Sequence, residues 1–400
     1  MPSIRNCLVP VKMSFIHEDP LKPLPAPVQS GSCPGVLPNE SFCVYSASGI
    51  VAQGAILTNS RWMATMGVLA LTAIAVSFAC LRFGAQPIAY AEILRVFLDV
   101  LSHKEIDGGT LDVSTTILLQ VRLPRMLLGF FVGCSLATVG VALQALLRNP
   151  LADPYVLGVS SGAALGAAVG VLLGAGTTFL AETALPAYGF AGGLLALVVV
   201  YRMAASYEQL PIHSLLLTGV ILNAIFSALI MFITSILEPN RSYGMMAWLM
   251  GTLTAPTYGG LAGLAVYLSI GLFLLFSQMR VLNILALGED SARTLGIDTE
   301  RAKRFIFVLT ALVTGAVVSV SGMIGFVGMV VPHAVRLVTG ADHRLLLPAS
   351  ALVGGTFLMG ADTLARTLIS PAEIPVGIIT ALAGGPFFVY LLLWRKDRLA

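Results

Sequence analysis

The sequence predicts an all-α, polytopic membrane protein with ten transmembrane helices. Of its 400 residues, 57% are hydrophobic and 11% are charged, and a water-soluble chain of this size could not bury so much apolar surface. Apolar runs of about 20 residues, the length that crosses the core of a bilayer as a helix, recur along the chain. They span residues 62–81, 121–147, 156–173, 188–201, 215–237, 259–276, 305–320, 326–338, 346–368 and 376–394.

Residues 1–60 differ in composition from the rest of the chain. Eight prolines fall within the first 38 residues, among scattered serine, glycine and asparagine. This composition is typical of disorder, and no apolar core with a small-residue cleavage site marks a secretory signal. We therefore expect a disordered N-terminal extension over residues 1–60, which could come from a reading frame extended upstream of the true start. One transmembrane domain is expected over residues 61–400.

The connection between the first two spans contains a predicted helix of another kind. Apolar residues recur at helical spacing over residues 89–101, which predicts a helix lying on the membrane surface. Its apolar stripe consists of Ile93, Val96, Phe97, Val100 and Leu101. The second span begins at the motif VRLPR, where Pro124 suits a helix start because its missing N–H would have no partner there.

The third span carries a glycine at every fourth position from Gly158 to Gly174. In a bilayer, such a stripe of small residues lets a neighbouring helix approach closely. We therefore expect these glycines to pack against another helix rather than to contact a substrate. Two polar side chains within the spans, Gln144 and Asn223, are expected to form hydrogen bonds between helices.

A charged segment at residues 283–304, here called the island, separates two apolar runs. Glu289 and Asp290 suit the positive end of a first short helix, and Gly296 suits its C-terminal end. Asp298 is a candidate N-cap for a second helix. A rigid helix–glycine–helix element at a membrane surface is suited to contact with a partner protein. The alternative is an ordinary solvated loop.

Basic residues gather in the loops on one side of the predicted spans. They are Arg148, Arg202, Arg280, those of the island, Arg336, Arg344 and those of the tail at residues 395–398. The positive-inside rule places this side in the cytoplasm, and an even number of spans places both termini there. None of the five cysteines forms a CxxC pair and no GxxxxGKS/T phosphate loop occurs. The chain thus carries no signal for a metal site or for ATP hydrolysis of its own.

Six motifs, in this order and spacing, resemble one transporter family. They are VRLPR at 121–125, QALLRNPLADPYVLGVSSGA at 144–163, LALGEDSARTLGI at 285–297, GFVGMVVPHAVRL at 325–337, ADHRLLLP at 341–348 and EIPVGIITALAGGPFFVYLLL at 373–393. Together they resemble the FecCD/vitamin B12-type permease subunit of type II ABC importers, which take up ferric siderophores, heme or cobalamin. The resemblance covers residues 62–398, and each motif alone would be weak.

The resemblance implies a permease fold of ten helices in the bacterial inner membrane that works by alternating access and does no covalent chemistry. It implies a second copy of the chain, a dimer of ABC ATPase subunits and a periplasmic substrate-binding protein as partners, and no nucleic acid. ATP and Mg would be bound by the ATPase, and this chain would hold no cofactor. The motifs do not distinguish siderophore, heme and cobalamin.

The resemblance also implies roles for residues of this sequence. Coupling to the ATPase is implied for Leu287, Gly288, Glu289, Asp290, Ser291, Ala292, Arg293, Leu295 and Gly296. Docking of the binding protein is implied for Arg122, Arg125 and Arg366, since the planar fork of arginine pairs bidentately with carboxylates. A cytoplasmic gate is implied for Asn149, Leu151, Ile212 and His213. Ile212 and His213 depart from the small hydroxyl residues of the vitamin B12 permease.

Three alternatives stay open at this point. Arg366 could pair locally with Asp362, one helical turn earlier. His213 could contact a heme, or it could be a solvated or capping residue. The chain could also be an ion-gradient-driven secondary transporter, because such proteins place carboxylates within their spans, and Asp362 is the candidate here.

Overall fold

The computed structural model describes residues 59–84, 86–102, 113–175, 181–205 and 210–396. The extension predicted over residues 1–60 therefore lies almost wholly outside the described residues. Within these ranges every regular element is helical, as predicted. The helices are α1 (Asn59–Arg82), α2 (Tyr90–Leu101), α3 (Val113–Thr116), α4 (Leu123–Leu146), α5 (Val159–Leu172), α6 (Ala181–Ala204), α7 (Ile212–Ile236), α8 (Pro239–Leu249), α9 (Tyr258–Ser277), α10 (Met279–Ala286), α11 (Glu289–Thr294), α12 (Thr299–Ser321), α13 (Val327–Thr339), α14 (His343–Thr367) and α15 (Val376–Lys396).

Seven helical stretches of the described ranges are long and apolar enough to cross a membrane. Three shorter apolar helices, Val159–Leu172, Val327–Thr339 and Val376–Tyr390, occupy the third, eighth and tenth predicted spans. The multi-pass helical architecture is therefore confirmed. The count of ten transmembrane helices stays a prediction, because α5 and α13, with 14 and 13 residues, fall below the length of an ordinary span.

The second predicted span begins earlier than the sequence indicated. Helical structure is continuous from Val113 to Leu146, and Pro124 is the second residue of its α-helical part, α4, as expected of a proline near a helix start. The physical reason for the earlier start is the π-helical segment Ile117–Arg122, which comes just before the motif's proline. The wider π turn accommodates the ring and the missing N–H that would disrupt a regular α-helical turn.

Helix α2 confirms the helix predicted over residues 89–101, and its position on a membrane surface stays a prediction. Ile93 and Val96 are buried in a cluster with Leu81, Leu118 and Met126. These two residues of the stripe pack on the bundle, because the neighbouring ends of α1 and α4 offer apolar partners. Val100, also of the stripe, is 43% exposed.

Three glycines of the predicted stripe pack against α6. A Cβ atom at Gly162 would overlap Ala196, and one at Gly166 would overlap the carbonyl oxygen of Tyr188. A Cβ atom at Gly170 would press on the Tyr188 ring at 3.0 Å. The packing role is confirmed for these three positions.

The stripe is shorter than the sequence pattern indicated. Gly158 and Gly174 flank α5, and both have positive φ angles, of 79° and 81°. Glycine tolerates this conformation at the ends of helices. These two glycines therefore set the limits of α5 and do not form its packing face.

Helix α4 lies at the centre of the bundle and contacts α9, α12, α13 and α14. Every residue from Val132 to Leu146 is buried. A Cβ atom at Gly133 would overlap the Gly354 carbonyl oxygen of α14, and one at Gly140 would overlap the Gly328 carbonyl oxygen of α13. Backbone-to-backbone contact at glycines thus fixes α4 against two of its neighbours.

The Gly166→Ala variant is expected to lose about 1–3 kcal/mol of stability, since an added methyl at a tight helix crossing forces the backbones apart. Gly67→Ala in α1 is the matched control, because a Cβ atom there would meet no atom within 4 Å. Thermal unfolding of the purified variants in detergent measures the difference. Equal unfolding midpoints for the two variants would contradict the close approach of α5 and α6.

Candidate functional site

Charged side chains gather at the two ends of the bundle. Arg125, at the start of α4, binds Asp362 near the end of α14, so these helices run antiparallel. Helix α4 has 24 residues and is therefore about 36 Å long. Arg148, two residues beyond α4, lies at the opposite end, beside the island. We call the two ends the arginine end and the island end.

Helix α11 is a short element bounded by two glycines at the island end. Gly288 and Gly296 have φ angles of 118° and 81°, which residues with a Cβ rarely adopt. Leu287 and Leu295, next to these glycines, are 66% and 61% exposed. Ala292, by contrast, is fully buried. The helix therefore rests on the bundle through Ala292 and presents two leucines outwards.

The predicted caps of the island are confirmed. Glu289 and Asp290 occupy the first turn of α11. Gly296 follows Leu295, the residue that caps the C-terminal end of this helix. Asp298 caps α12, where its Oδ1 atom accepts a hydrogen bond of 3.1 Å from the Arg301 amide. The remaining predicted coupling residues Asp290, Ser291 and Arg293 are exposed. All nine predicted coupling residues thus belong to one contiguous element.

Lys303 connects this element to the bundle. Its buried Nζ atom lies 3.3 Å from Glu289 Oε2 in α11 and 2.6 Å from Glu300 Oε1 in α12. Nζ also donates to the Leu210 carbonyl at 3.5 Å, while Glu300 Oε2 accepts a 2.8 Å hydrogen bond from the Leu210 amide. The ammonium therefore joins α11, α12 and the residues that precede α7.

Arg148 brings the end of α4 into the same cluster. Its Nη2 atom lies 3.2 Å from Glu289 Oε1. Its backbone is left-handed, with φ of 48°, and the amides of Arg148 and Asn149 bond to the Ala145 and Gln144 carbonyls at 3.3 and 3.2 Å. Glycine is usual at this position of a helix end, and another residue costs roughly 1–2 kcal/mol. The contact of the side chain with Glu289 gives a reason for arginine here.

Two segments with predicted gate residues adjoin this cluster, which we call the island cluster (Arg148, Glu289, Glu300, Lys303 and the Leu210 backbone). Asn149 Oδ1 accepts a hydrogen bond of 2.9 Å from the Leu151 amide and so fixes the turn after α4. Ile212 and His213 are the first two residues of α7, which follows the N-cap Pro211 and begins three residues before the predicted span. The His213 side chain is exposed, and the gate role of all four stays a prediction.

Arg122 is buried at the arginine end. Its Nη1 atom donates to the Leu81 and Arg82 carbonyls at 2.8 and 3.0 Å, and its Nη2 atom donates to the Gln86 carbonyl. These bonds satisfy backbone acceptors at the end of α1, which is a structural role. Docking requires an exposed guanidinium group, and this arrangement does not provide one at Arg122.

Arg366 is also buried. Its Nη2 atom donates to the Cys80 carbonyl at 2.8 Å, and its Nε atom lies 3.6 Å from Asp362 Oδ2. The local pair between Arg366 and Asp362, the alternative drawn from the sequence, is therefore present. Docking by Arg122 or Arg366 stays a prediction that would require these internal contacts to open.

Arg125 bridges two carboxylates. Its Nε and Nη2 atoms donate to Asp362 Oδ1 at 3.0 and 2.9 Å, and its Nη1 atom donates to Glu373 Oε2 at 2.9 Å. Asp362 is buried, whereas the Glu373 side chain is more than half exposed. Of the three predicted docking residues, Arg125 is therefore the one that is paired with an exposed side chain at the surface of the arginine end.

The two predicted hydrogen bonds between helices are confirmed. Gln144 Nε2 donates to the Met329 carbonyl at 3.2 Å, and Gln144 Oε1 accepts from Arg336 at 2.9 Å. Asn223 Nδ2 donates to the Tyr155 carbonyl at 2.9 Å. Both side chains thus join helices inside the bundle.

Lys303 was not among the predicted site residues. One signal was present: a lysine three residues after a glutamate, at the start of an otherwise apolar helix. Its contact with Leu210, 93 residues earlier in the chain, could not be read from local spacing. The same holds for the pair of Arg148, in the turn after α4, and Glu289, the first residue of α11.

Comparison with known proteins gives the chain a family. The model of the FecCD transport family matches residues 54–394. The cobalamin import system permease protein BtuC of Halobacterium salinarum is 39% identical over 365 residues, which cover 88% of this chain and 96% of that protein. The hemin transport system permease protein HmuU of Yersinia pestis is 40% identical over 293 residues, covering 72% and 87% of the two chains.

A solved structure supports the same assignment. It is assigned as a metal-chelate type ABC transporter in an inward-facing conformation, with a TM-score of 0.70 and 30% sequence identity. The match covers 83% of this chain and 99% of that one. Fold, motif order and sequence identity over most of the chain therefore agree, and the chain belongs to the FecCD transport family.

Proposed function

We propose that the chain is the permease subunit of an ATP-binding cassette importer that carries an iron chelate (a ferric siderophore or heme) or vitamin B12 by alternating access. Relatives named for cobalamin and hemin transport support this substrate class. The described spans hold few polar side chains, which suits a wide path for a large chelate better than a tight binding site. ATP and Mg are bound by a separate ATPase subunit, and this chain catalyses no covalent step.

The observation that carries the proposal is the construction of α11. A six-residue helix between two glycines presents Leu287 and Leu295 to the exterior while Ala292 and Glu289 hold it to the bundle. Exposed leucines on a charged surface indicate a contact with another protein. Such an element suits contact with an ATPase, because a short anchored helix passes on a push without bending.

The island cluster supplies the connection from α11 to the predicted gate. When an ATPase moves α11, Glu289 pulls on Arg148, which directly precedes Asn149, and on Lys303. Lys303 and Glu300 in turn hold Leu210, two residues before Ile212. Both predicted gate segments are thus connected to the coupling helix through ion pairs or hydrogen bonds.

The rest of the assembly follows from the same proposal. The permease works as a pair of identical subunits in the bacterial inner membrane, with the island end and both termini in the cytoplasm. A periplasmic binding protein docks at the arginine end, where Arg125 reaches Glu373 at the surface. Arginine–carboxylate pairs at a protein interface give orientation and a fast approach of the partner.

An ion-gradient-driven secondary transporter is the second candidate. Its carboxylate would be Asp362, which is buried but pairs with both Arg125 and Arg366. Both of its oxygens already contact arginine guanidinium groups, so this carboxylate joins α4 to α14 and offers no open position to a transported ion. This geometry favours the ATP-driven proposal.

Reconstitution in liposomes tests the proposed function. Uptake of the chelate is expected to require the cognate ATPase, its binding protein and ATP, and to continue when proton and sodium gradients are abolished. Uptake by this chain alone, driven by an ion gradient, would exclude an ABC importer. Leu295→Ser is expected to weaken binding of the ATPase by about tenfold or more, since it removes an exposed apolar anchor.

Leu368→Ser is the matched control for Leu295→Ser. Leu368 is also 61% exposed but lies at the arginine end, next to α14. Co-purification of the ATPase with each permease variant gives the comparison. If both variants retain the ATPase equally well, Leu295 is not part of the ATPase contact.

Arg148→Gln is expected to lower chelate uptake per ATP hydrolysed several-fold while leaving ATPase binding intact, because it cuts the link between α11 and the turn after α4. Arg301→Gln removes the same charge from a highly exposed arginine whose pair is with its neighbour Asp298, and it serves as control. The amount of chelate taken up per ATP hydrolysed is measured for both variants in liposomes of the same composition. A wild-type ratio for Arg148→Gln would refute the proposed transmission.

The orientation is tested by cysteine labelling in a background without native cysteines. Ser291→Cys is expected to react with a membrane-impermeant maleimide only in inside-out vesicles, because α11 faces the cytoplasm. Tyr243→Cys in α8, highly exposed and at the arginine end, is expected to react only in right-side-out vesicles. The reverse pattern would place α11 outside the cell and out of reach of an ATPase.

A further inference from the structure

A groove at the island end lies apart from the island cluster and is lined by basic and apolar side chains. Its volume is about 420 Å³. The lining residues are Phe276, Ser277, Met279, Arg280 and Arg344. None of them belongs to the coupling, gate or docking residues, so the groove has no role in the proposed transport cycle.

The groove lies where membrane spans end. Ser277 is the last residue of the span formed by α9, and Arg344 is the second residue of the span formed by α14. Arg280 follows in the first turn of α10. Side chains at the ends of two spans lie at the depth of the lipid headgroups. A ligand in this groove would therefore meet both the charged layer and the outer part of the apolar layer.

The two arginines carry positive charge that the protein does not neutralise. Both side chains are exposed, and neither forms an ion pair with a carboxylate among the described residues. The nearest acidic side chain along the chain is Asp342. Its Oδ1 atom already accepts hydrogen bonds from Asn283 Nδ2 at 2.8 Å and from the Arg344 amide at 3.0 Å.

The backbone that carries the two arginines is fixed. Asn283 Oδ1 accepts a hydrogen bond of 2.9 Å from the His343 amide, so α10 is tied to the start of α14. Asn283 lies one helical turn after Arg280, and His343 directly precedes Arg344. The arginines are thus held on one rigid frame, which lowers the cost of placing both around a single anion.

A tryptophan of α1, Trp62, lies at the same depth in the membrane as the groove. Trp62 in α1 donates from Nε1 to the Arg344 carbonyl at 3.2 Å. Tryptophan is enriched at membrane–water interfaces because its ring is apolar and its N–H is polar. Beyond Trp62, α1 exposes Val68, Leu71 and Ile74, which suits contact with acyl chains.

We propose that this groove binds the headgroup phosphate of an anionic phospholipid. Arg280 and Arg344 hold the phosphate, and Phe276 and Met279 contact the glycerol and the first carbons of the acyl chains. A free phosphate ion would offer the same charge but would leave the apolar part of the groove without a partner. Basic pockets at the ends of transmembrane helices are suited to such headgroups.

Fluorescence quenching of Trp62 by brominated lipids tests the proposal. The full chain with Trp248→Phe and Trp394→Phe keeps Trp62 as its single tryptophan. In mixed micelles, brominated phosphatidylglycerol is expected to bind roughly 25-fold more tightly than brominated phosphatidylcholine, since each of the two arginines contributes about fivefold. The Arg280→Gln/Arg344→Gln variant is expected to lose this preference.

Arg202→Gln is the matched control, because Arg202 is an exposed arginine in the last turn of α6 and does not line the groove. It is expected to keep the full preference for phosphatidylglycerol. Equal quenching by the two lipids, or an equal loss in Arg202→Gln, would overturn the proposal in favour of general charge attraction. Displacement of phosphatidylglycerol by inorganic phosphate would overturn it in favour of a site for small anions, and displacement by the ATPase would assign the groove to a protein contact.

Discussion

The buried ammonium group of Lys303 constrains the island end of the molecule. A charged group in a low-dielectric interior costs several kcal/mol unless ionic partners and hydrogen bonds surround it. Here Glu289, Glu300 and the Leu210 carbonyl provide them, and each comes from a different part of the fold. If α11 moved away alone, Lys303 would lose one of its two carboxylate partners, and if the Leu210 segment moved away it would lose the carbonyl. The helix that an ATPase would contact and the segment that begins α7 are therefore held in one arrangement by a single side chain.

The two ends of the bundle use charge in different ways. At the arginine end, Arg122 and Arg366 satisfy backbone carbonyls of α1 and its following residues, so their charges stabilise the fold internally. At the island end, the charges connect elements that lie far apart in the sequence. Between the ends, α4 is buried from Val132 to Leu146, and Gln144 is one of its few polar members. An apolar body with polar ends is what a bilayer requires of a permease.

Local sequence patterns predicted the structural features that are determined by residues close together in the chain. Asp298 as N-cap, Gly296 after α11 and the glycine face of α5 depend only on residues a few positions away, and each is confirmed. Helix α8 was missed, because residues 239–249 mix polar and apolar side chains without a clear period. The burial of Arg122 and the bond between Lys303 and Leu210 also escaped prediction. Both depend on residues about 40 or more positions apart, whose meeting is decided by the packing of the whole bundle.

The glycine crossings of α4 have a consequence for how the bundle can change shape. At Gly133 and Gly140 the backbone of α4 touches the backbones of α14 and α13 directly, with no side chain between them. Long side chains can change rotamer when helices slide past each other, but backbones in direct contact cannot adjust in this way. Helices α4, α13 and α14 are therefore expected to travel as one solid block. The opening and closing of a path would then be carried out by the helices around this block, among which α5 and α6 form a second pair joined at bare backbone.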